Sequence, residues 1–565
     1  METLVIASLL LFSVLLIENT CLEKVPNYLQ DTSLQVTLPN GVVQGKMKLT
    51  RYQKLHYLSF HGIPYALPPV GNLRFRSPVP SSNWSGVLDA SSSDITSCIQ
   101  ITPTLFNKFV ESEDCLYVNV FTPVKSVRKE SPPLPVMVWI YGGGFLIGVA
   151  DSSYFGPDNL LEEGVVVVQV SYRLGSFGFL STEDMASPGN YGLKDQHLAL
   201  RWVKNNIGYF GGDPERTTIF GESAGGVSVQ YQMMYMKNEG LIQGAISESG
   251  SALCSWGYQR YPKKIAQDLG MAAGVNTTDS TVLIDYLRNL PTGELKGATI
   301  KVSVTNSFGI VNGIPFAPTI EPVHEDAFIS NKSHQLLEEK QYLNVPYIIG
   351  FNTEEISILK PALTMALPFL RIFDIDPRII APSGTNKGNI EEVGNEIKRF
   401  YFGNNQFISD QYLEYINDAY FFRPIMESAR LFNQRTPTYL YVFTYEGSRG
   451  RNALGYRKVG DYKGTLHAEE MAYIWTRNDL PEPNNRDKLM STRMVKLWTN
   501  FAKTGNPTPN QESITENIIW PTVSDSMTYL DIGRTFSVKQ NFKNESMAFW
   551  NYIYNNYGTP PYDTY

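Results

Sequence analysis

Phe220-Gly-Glu-Ser-Ala-Gly-Gly226 contains the pattern G-x-S-x-G once in the chain, with Ser223 at its centre. Alone, such a pattern arises easily by chance in a sequence with 44 glycines. Its flanks carry more weight. The run Thr217-Thr-Ile-Phe220 precedes it, and Val227-Ser-Val-Gln-Tyr-Gln-Met-Met-Tyr-Met236 can continue as a helix. Strand, sharp turn and helix are what a nucleophile elbow requires. The turn lifts the serine hydroxyl out of the sheet, and the new helix presents its positive end to a developing oxyanion. Gly221 and Gly225 have no Cβ to obstruct the turn, and the N–H of Ala224 is expected to be one oxyanion donor.

About 80 residues upstream lies Trp139-Ile-Tyr-Gly-Gly-Gly-Phe-Leu-Ile-Gly148, directly after the β-branched run Val136 to Ile140. Successive glycines expose backbone N–H groups that can bind the oxygen of a tetrahedral intermediate. A phosphate-binding loop needs a Walker-type lysine or a GxGxxG spacing, and neither is present.

A serine nucleophile needs a base and a carboxylate to orient it, in the chain order Ser, acid, His. Three histidines follow Ser223: His324, His334 and His467. The first two, in EPVHEDAF and NKSHQLLEEK, read as surface residues. His467 follows an irregular stretch and precedes a possible helix, so a loop could carry it across the sheet top. Val345-Pro-Tyr-Ile-Ile-Gly350 is a buried-strand candidate, followed by Phe351-Asn-Thr-Glu-Glu355, so Glu354 and Glu355 both qualify as the acid by position. His56, His61 and His197 precede the elbow and fit the order poorly; His197 reads as a structural or solvated helix residue.

Further runs of the same kind are Val165 to Val170, Ala245 to Ser247 and Tyr439 to Thr444. Segments apolar on both faces suit a parallel sheet covered by helices. Between them lie helical stretches such as Leu193 to Asn206, where Leu198, Trp202 and Asn206 share a face. The alternation predicts one α/β sandwich with long insertions rather than several domains.

The chain has 565 residues, 42% apolar and 18% charged, which excludes a disordered polypeptide. Its formal charge of −7 disfavours a nucleic-acid partner. Four cysteines allow at most two bridges, and none sits in a zinc-like Cys/His spacing. Thr3 to Ile17 is a 15-residue uncharged stretch, short of the roughly 20 needed to span a bilayer but right for a signal-peptide core. Residues 1–21 are therefore expected to be a signal peptide and 22–565 a single domain; losing Glu2 and Glu18 takes the charge from −7 to −5. No later run is long enough to span a membrane, and the polar C-terminus has no lipid-anchor or retention signal. Soluble secretion is the expected destination, in keeping with N-x-[ST] sites at Asn83, Asn276, Asn331 and Asn544. Arg449 to Lys463 carries five bases and one acid and reads as a solvated loop.

Taken in order, the motifs Phe60-His-Gly-Ile-Pro-Tyr-Ala-Leu-Pro-Pro-Val-Gly-Asn-Leu-Arg-Phe75, Glu113-Asp-Cys-Leu-Tyr-Val-Asn-Val120, Asn190-Tyr-Gly-Leu-Lys-Asp-Gln196, Phe210-Gly-Gly-Asp-Pro214 and Gly221-Glu-Ser-Ala-Gly225 resemble the type-B carboxylesterase/cholinesterase family, and most of all its secreted insect carboxylesterases. The resemblance covers nearly the whole mature chain. It implies an α/β-hydrolase fold, with a large mostly parallel central sheet flanked by helices and with long insertions. It also implies serine ester hydrolysis through an acyl-enzyme, without cofactor or metal. The family pattern G-x-x-x-x-E counted from Gly350 selects Glu355, although Ile356 stands where the family usually has glycine. Gly464-Thr-Leu-His-Ala-Glu-Glu-Met471 resembles the family's histidine loop. The implied site is Ser223, Glu355 and His467, with the N–H groups of Gly143, Gly144 and Ala224 as oxyanion donors. The implied disulfide joins Cys98 and Cys115, which leaves Cys254 as a free thiol, Cys21 being at the cleavage region. Glu222 before the nucleophile is similar to cholinesterases, and Tyr141 stands where many carboxylesterases carry His. The loop from Cys98 to Cys115, however, contains Phe106 and Phe109 but no Trp to cage a quaternary ammonium. Trp84 lies outside it and reads as a packing residue. The expected substrates are uncharged, largely hydrophobic esters, with organophosphates and carbamates reacting at the serine. One alternative is a non-catalytic, cholinesterase-like binding or adhesion protein, although such family members usually lack the nucleophile or the histidine and often carry a transmembrane stem; the other is a narrow-specificity hormone or pheromone esterase.

Overall fold

The buried β-branched runs assemble into one mixed sheet of 11 strands. In this computed structural model the described residues are 34–92, 96–101, 109–127, 131–306, 313–357, 360, 375–385, 388–403, 409–452 and 463–565. In chain order the strands are β1 (Lys46–Leu49), β2 (His56–Pro64), β3 (Tyr117–Pro123), β4 (Leu134–Ile140), β5 (Val166–Val170), β6 (Gly212–Glu222), β7 (Gly244–Glu248), β8 (Tyr347–Asn352), β9 (Thr438–Phe443), β10 (Tyr529–Ile532) and β11 (Phe536–Lys539). They lie side by side in the order β11-β10-β9-β8-β7-β6-β4-β5-β3-β2-β1. The six pairs from β10 across to β5 are parallel, and the four at the flanks are antiparallel. Every residue of β5, β7, β8 and β9 is buried, as expected for parallel strands covered on both faces.

The order of the inner strands positions the site. From β4 the chain steps sideways to β5, then crosses back over β4 through α1 (Tyr191–Asn206) to form β6 on its other side. Such a reversal leaves a crevice beyond the carboxyl ends of the two diverging strands. Here those ends are Ile140 of β4 and Glu222 of β6, which the register brings level: Gly221 pairs with Ile140, Glu222 with Glu248 of β7, and Glu248 with Gly350 of β8. Leu198, Trp202 and Asn206 of α1 are buried, as their spacing predicts. Behind the crevice, Trp139 of β4 and Phe220 of β6 meet Trp475 at 5.1 and 5.5 Å between ring centroids. Helix α4 (Asn485–Thr504, after α2 Ala224–Met234 and α3 Arg423–Phe432) adds Trp498, whose Nε1 donates to Glu248 Oε1 at 2.7 Å.

Cys98 and Cys115 are bonded, and Cys254 is a buried free thiol. Trp84 packs over Gly41 and donates to the Val42 carbonyl at 3.0 Å. The four N-x-[ST] asparagines are exposed. Among the described residues no helix is long and apolar enough to cross a membrane; Thr3 to Ile17 and Cys21 lie outside those residues.

Two surface expectations are corrected. His334 is 3% exposed, stacked on Tyr565 with ring centroids 4.9 Å apart. His324 is half-buried, with Nε2 3.1 Å from Glu321, a fully buried carboxylate that also holds Lys194 at 2.6 Å. Tyr565 over His334, and the Glu321–Lys194 pair beside His324, each join residues more than a hundred apart, which local polarity does not reveal. Arg449 likewise leaves the expected solvated loop: it is buried, donating Nε–H to the Ala472 carbonyl at 2.7 Å. Arg457 and Lys458 of that loop lie outside the described residues.

Candidate active site

Strand β6 ends at Glu222 and α2 begins at Ala224, so Ser223 alone makes the turn. Its φ and ψ of 58° and −124° are disfavoured for a residue with a Cβ, the strain expected of an elbow that projects a side chain. The surroundings enforce it. Ser223 N–H donates to the Glu248 carbonyl at 2.8 Å, and the Ser223 carbonyl accepts from Val227 at 3.0 Å. A Cβ on Gly225 would sit 2.0 Å from the Ile140 carbonyl oxygen, so no larger residue lets β4 come this close.

The glycine run after β4 lies against the same turn. A Cβ on Gly142 would stand 2.9 Å from the Ser223 Cβ. Gly143 and Gly144 have φ of 109° and 62°, and the Gly143 carbonyl accepts from Leu146 and Ile147 at 3.1 Å each. Among the described residues neither glycine's N–H has an acceptor. Ala224 heads α2, where the first amides have no intrahelical partner. Three N–H groups without an acceptor among the described residues thus belong to the two segments that meet at Ser223.

Beyond β8 the chain folds over itself: Asn352 N–H donates to Glu355 Oε1 at 2.7 Å, fixing a fully buried carboxylate. Its other oxygen meets His467 Nδ1 at 2.6 Å. The two loops are pinned backbone to backbone, Glu354 N–H to the Thr465 carbonyl at 2.8 Å, with Thr465 N–H to Thr353 Oγ1 at 2.9 Å. Glu354 points elsewhere and accepts from Ser357 Oγ at 2.7 Å and Asn417 Nδ2 at 3.3 Å. The Ile356 N–H donates to Asn417 Oδ1 at 2.9 Å, so the non-glycine residue is accommodated without displacing Glu355. With Nδ1 occupied by Glu355, the outer nitrogen Nε2 faces the elbow, 3.0 Å from Oε1 of Glu222, the neighbour of Ser223.

A nucleophile elbow, a glycine loop and a carboxylate–histidine pair therefore converge at the carboxyl ends of β4, β6 and β8. Comparison with known proteins accounts for the arrangement. The carboxylesterase family model matches residues 32–550. The chain belongs to the carboxylesterase family. It is 35% identical over 540 residues to mouse (Mus musculus) carboxylesterase 1E, covering 90% of this chain and 92% of that protein. It is also 35% identical over 512 residues to the medium-chain fatty acyl-CoA hydrolase precursor of the duck Anas platyrhynchos, 87% of each chain. The crystal structure of juvenile hormone esterase from Manduca sexta, with OTFP covalently attached, superposes with a TM-score of 0.82 and 26% identity, over 92% of this chain and 99% of that one.

The electrostatics of this carboxylesterase site follow from burying several carboxylates around one imidazole. Burial pushes the Glu222 carboxyl up to about 7, with Glu355 adding to the effect and His467 opposing it. Burial pulls the His467 imidazole down, but the carboxylates of Glu222 and Glu355 prevail and raise it to about 9. Glu470 and Glu248 lie behind them, both fully buried and both pushed up, first by loss of water and then by neighbouring negative charge. Glu470 accepts from Ser249 Oγ at 3.4 Å and from Asn352 Nδ2.

Sequence reasoning missed Glu470, although it stands three residues after His467 in the same motif. It also missed Phe421, whose ring edge meets the His467 ring at 5.5 Å; no local pattern links the two. Ile314 is a third, its Cδ1 3.2 Å from where a Gly144 Cβ would be. Tyr141 turns away into the core, stacked on Tyr172 at 4.6 Å and donating to its carbonyl at 3.1 Å.

Proposed function

We propose that this carboxylesterase hydrolyses uncharged, largely hydrophobic carboxylic esters through an acyl-enzyme on Ser223. His467 Nε2 removes the hydroxyl proton, moving off Glu222, and Ser223 Oγ attacks the ester carbonyl. The N–H groups of Gly143, Gly144 and Ala224 receive the oxyanion. His467 then protonates the leaving alcohol, while Glu355 holds Nδ1–H and stabilises the imidazolium without taking its proton. Water deacylates Ser223 by the same route. The observation that carries this reading is the His467 bridge, 2.6 Å to Glu355 on one side and 3.0 Å to the elbow on the other.

The substrate class rests on what approaches the oxyanion donors. Ile314 and half-buried Leu146 are apolar, and no Trp lies between Cys98 and Cys115 to cage a cation. Organophosphates and carbamates should acylate Ser223 in place of an ester. We further infer that residues 1–21 are a cleaved signal peptide, that residues 22–565 form one domain, and that the exposed Asn83, Asn276, Asn331 and Asn544 are glycosylated on secretion. The likeness to the Manduca sexta hormone esterase favours a second reading, a narrow-specificity hormone or pheromone esterase. A panel of p-nitrophenyl acyl esters of rising chain length, hormone-like esters and choline esters, assayed with and without an organophosphate, separates these. Longer uncharged esters should turn over and lose all activity on stoichiometric phosphorylation. Preference for the choline esters would overturn the substrate class, and activity surviving phosphorylation would overturn the nucleophile.

A further inference from the structure

The turn Asp418–Phe422 is wound as a π-helix and runs without a break into α3. It braces the histidine–glutamate pair from one side. Phe421 sets its edge against the His467 ring, centroids 5.5 Å apart and planes at 68°. Phe422 packs on Phe351 of β8 at 4.7 Å. Just before the turn, Asn417 holds the Ile356 N–H, next to Glu355. Side chains sharing this turn therefore touch both partners' surroundings, and a small rotation of it would tilt the imidazole. A π-turn is rare and frequently marks a functional site.

What holds the turn is a long way off in sequence. Arg423, the first residue of α3, is 3% exposed. Its guanidinium packs against two rings, 3.6 Å from the centre of Tyr554, on helix α5 (Asn544–Tyr557), and 3.5 Å from that of Tyr565. Its Nε and Nη2 have no hydrogen-bond partner, so the ring faces are what meets the charge on those sides. Glu427, one turn further along α3, is engaged by Arg430 at 2.6 Å. Tyr565 is itself fixed, donating its N–H to the Leu253 carbonyl at 2.9 Å and stacking on His334. The two rings touch each other, centroids 4.7 Å apart and planes at 40°, so the guanidinium is seated against the corner they form and loses a ring contact if it swings away.

We propose that Tyr565 and Tyr554 are positioning residues for His467, acting through Arg423: the paired rings hold the guanidinium and with it the π-helical turn, and Phe421 on that turn fixes the plane of the imidazole. The proposal rests on His467 being the catalytic base. A merely structural role for the rings would change stability and leave turnover per active molecule alone. Misplacing a reacting group by a fraction of an ångström instead lowers kcat and spares KM.

The test uses the full chain, with active molecules counted by organophosphate titration. Tyr565→Leu keeps bulk and loses the π-face; kcat should fall about tenfold or more, with KM within about twofold. Tyr565→Phe keeps the face and should restore kcat. Phe421→Leu should lower kcat alike, and the Tyr565→Leu/Phe421→Leu double variant should be no worse than the weaker single, because the two act in one chain of contacts. Parental kcat in Tyr565→Leu, or losses that multiply in the double variant, would overturn the proposal. If Tyr565→Leu does not accumulate, Arg423→Lys takes its place, keeping the charge and losing the plane, with the same expected split and the same overturning result. His467→Ala, run in parallel, reads the underlying assignment. Retained turnover there removes the base and the proposal with it; lost turnover beside a silent Tyr565→Leu removes the positioning role only.

Discussion

Two buried charge clusters of this carboxylesterase are built to opposite rules. After β5, Arg173 meets Asp195 of α1 through side-chain bonds of 2.7 and 2.6 Å, and its backbone N–H adds a third at 3.1 Å. One positive charge faces one negative charge in fork geometry. At the crevice, one imidazole faces Glu222 and Glu355, with Glu470 close behind. There the charges do not balance, so protons must be shared among groups whose affinities lie near neutrality. A closed pair holds loops together; an open cluster can move a proton at working pH.

The largest break in this comparison comes from removing the moving parts. Ser223→Ala should cut turnover by about six orders of magnitude, and Glu355→Gln by about four, because the amide can no longer set the imidazole's tautomer. Ser223→Ala should keep the parent's circular dichroism and melting temperature to within a few degrees, since Gly225 and the Glu248 carbonyl still enforce the elbow. Near-parental ester hydrolysis in Ser223→Ala would sink the assignment.

The closed pair should respond the other way. Asp195→Asn leaves a buried guanidinium charge without its counter-ion, at a cost of about 3–5 kcal/mol. Urea midpoints should fall sharply, whereas kcat per titrated active site should stay within a few-fold of the parent. A variant that is stable but inactive would show that Arg173–Asp195 belongs to the chemistry.

The same contrast governs what could be read in advance. The inner strands were legible because a parallel strand buried on both faces is largely apolar, so Val165 to Val170 and Val345 to Gly350 stood out, each within two residues of the strand formed. The elbow was legible because turn, glycine and serine are local. Choosing Glu355 over Glu354 needed the family spacing, and the structure explains it: one carboxylate turns inward to His467, the other outward to Ser357 and Asn417. What stayed hidden is non-local. His334 and Arg423 are covered by Tyr565, and Phe421 meets His467, through tertiary contacts that no periodicity encodes. Arg449 looked solvated because it opens a basic run, yet its own donors satisfy the buried Ala472 carbonyl.

The finest test of the open cluster is Glu222→Gln, which keeps shape and removes one charge. In the proposed mechanism His467 is neutral when it takes the Ser223 proton, so kcat/KM of the parent should rise with pH toward the imidazole's value of about 9. Without Glu222 the imidazole loses a carboxylate that raises it while its burial remains, so the half-maximal pH should drop by about one unit or more. Stability should report the same charges with a definite sign. The folded imidazole sits at about 9 against 6.5 in a model compound, so its contribution is complete below 6.5 and disappears as pH rises through 9. Glu222 sits at about 7 against 4.5, so the folded state also binds that proton more tightly, and stability falls as pH rises from 4.5 through 7. The two windows adjoin. The parent's urea midpoint should therefore decline steadily between pH 5 and pH 9. In Glu222→Gln the decline through pH 7 should lessen, Glu470 with its carboxyl raised to about 8 still contributing, and the later one should shift downward with the imidazole. An unshifted rate profile with an unchanged pH dependence of stability would show that Glu222 does not couple to His467.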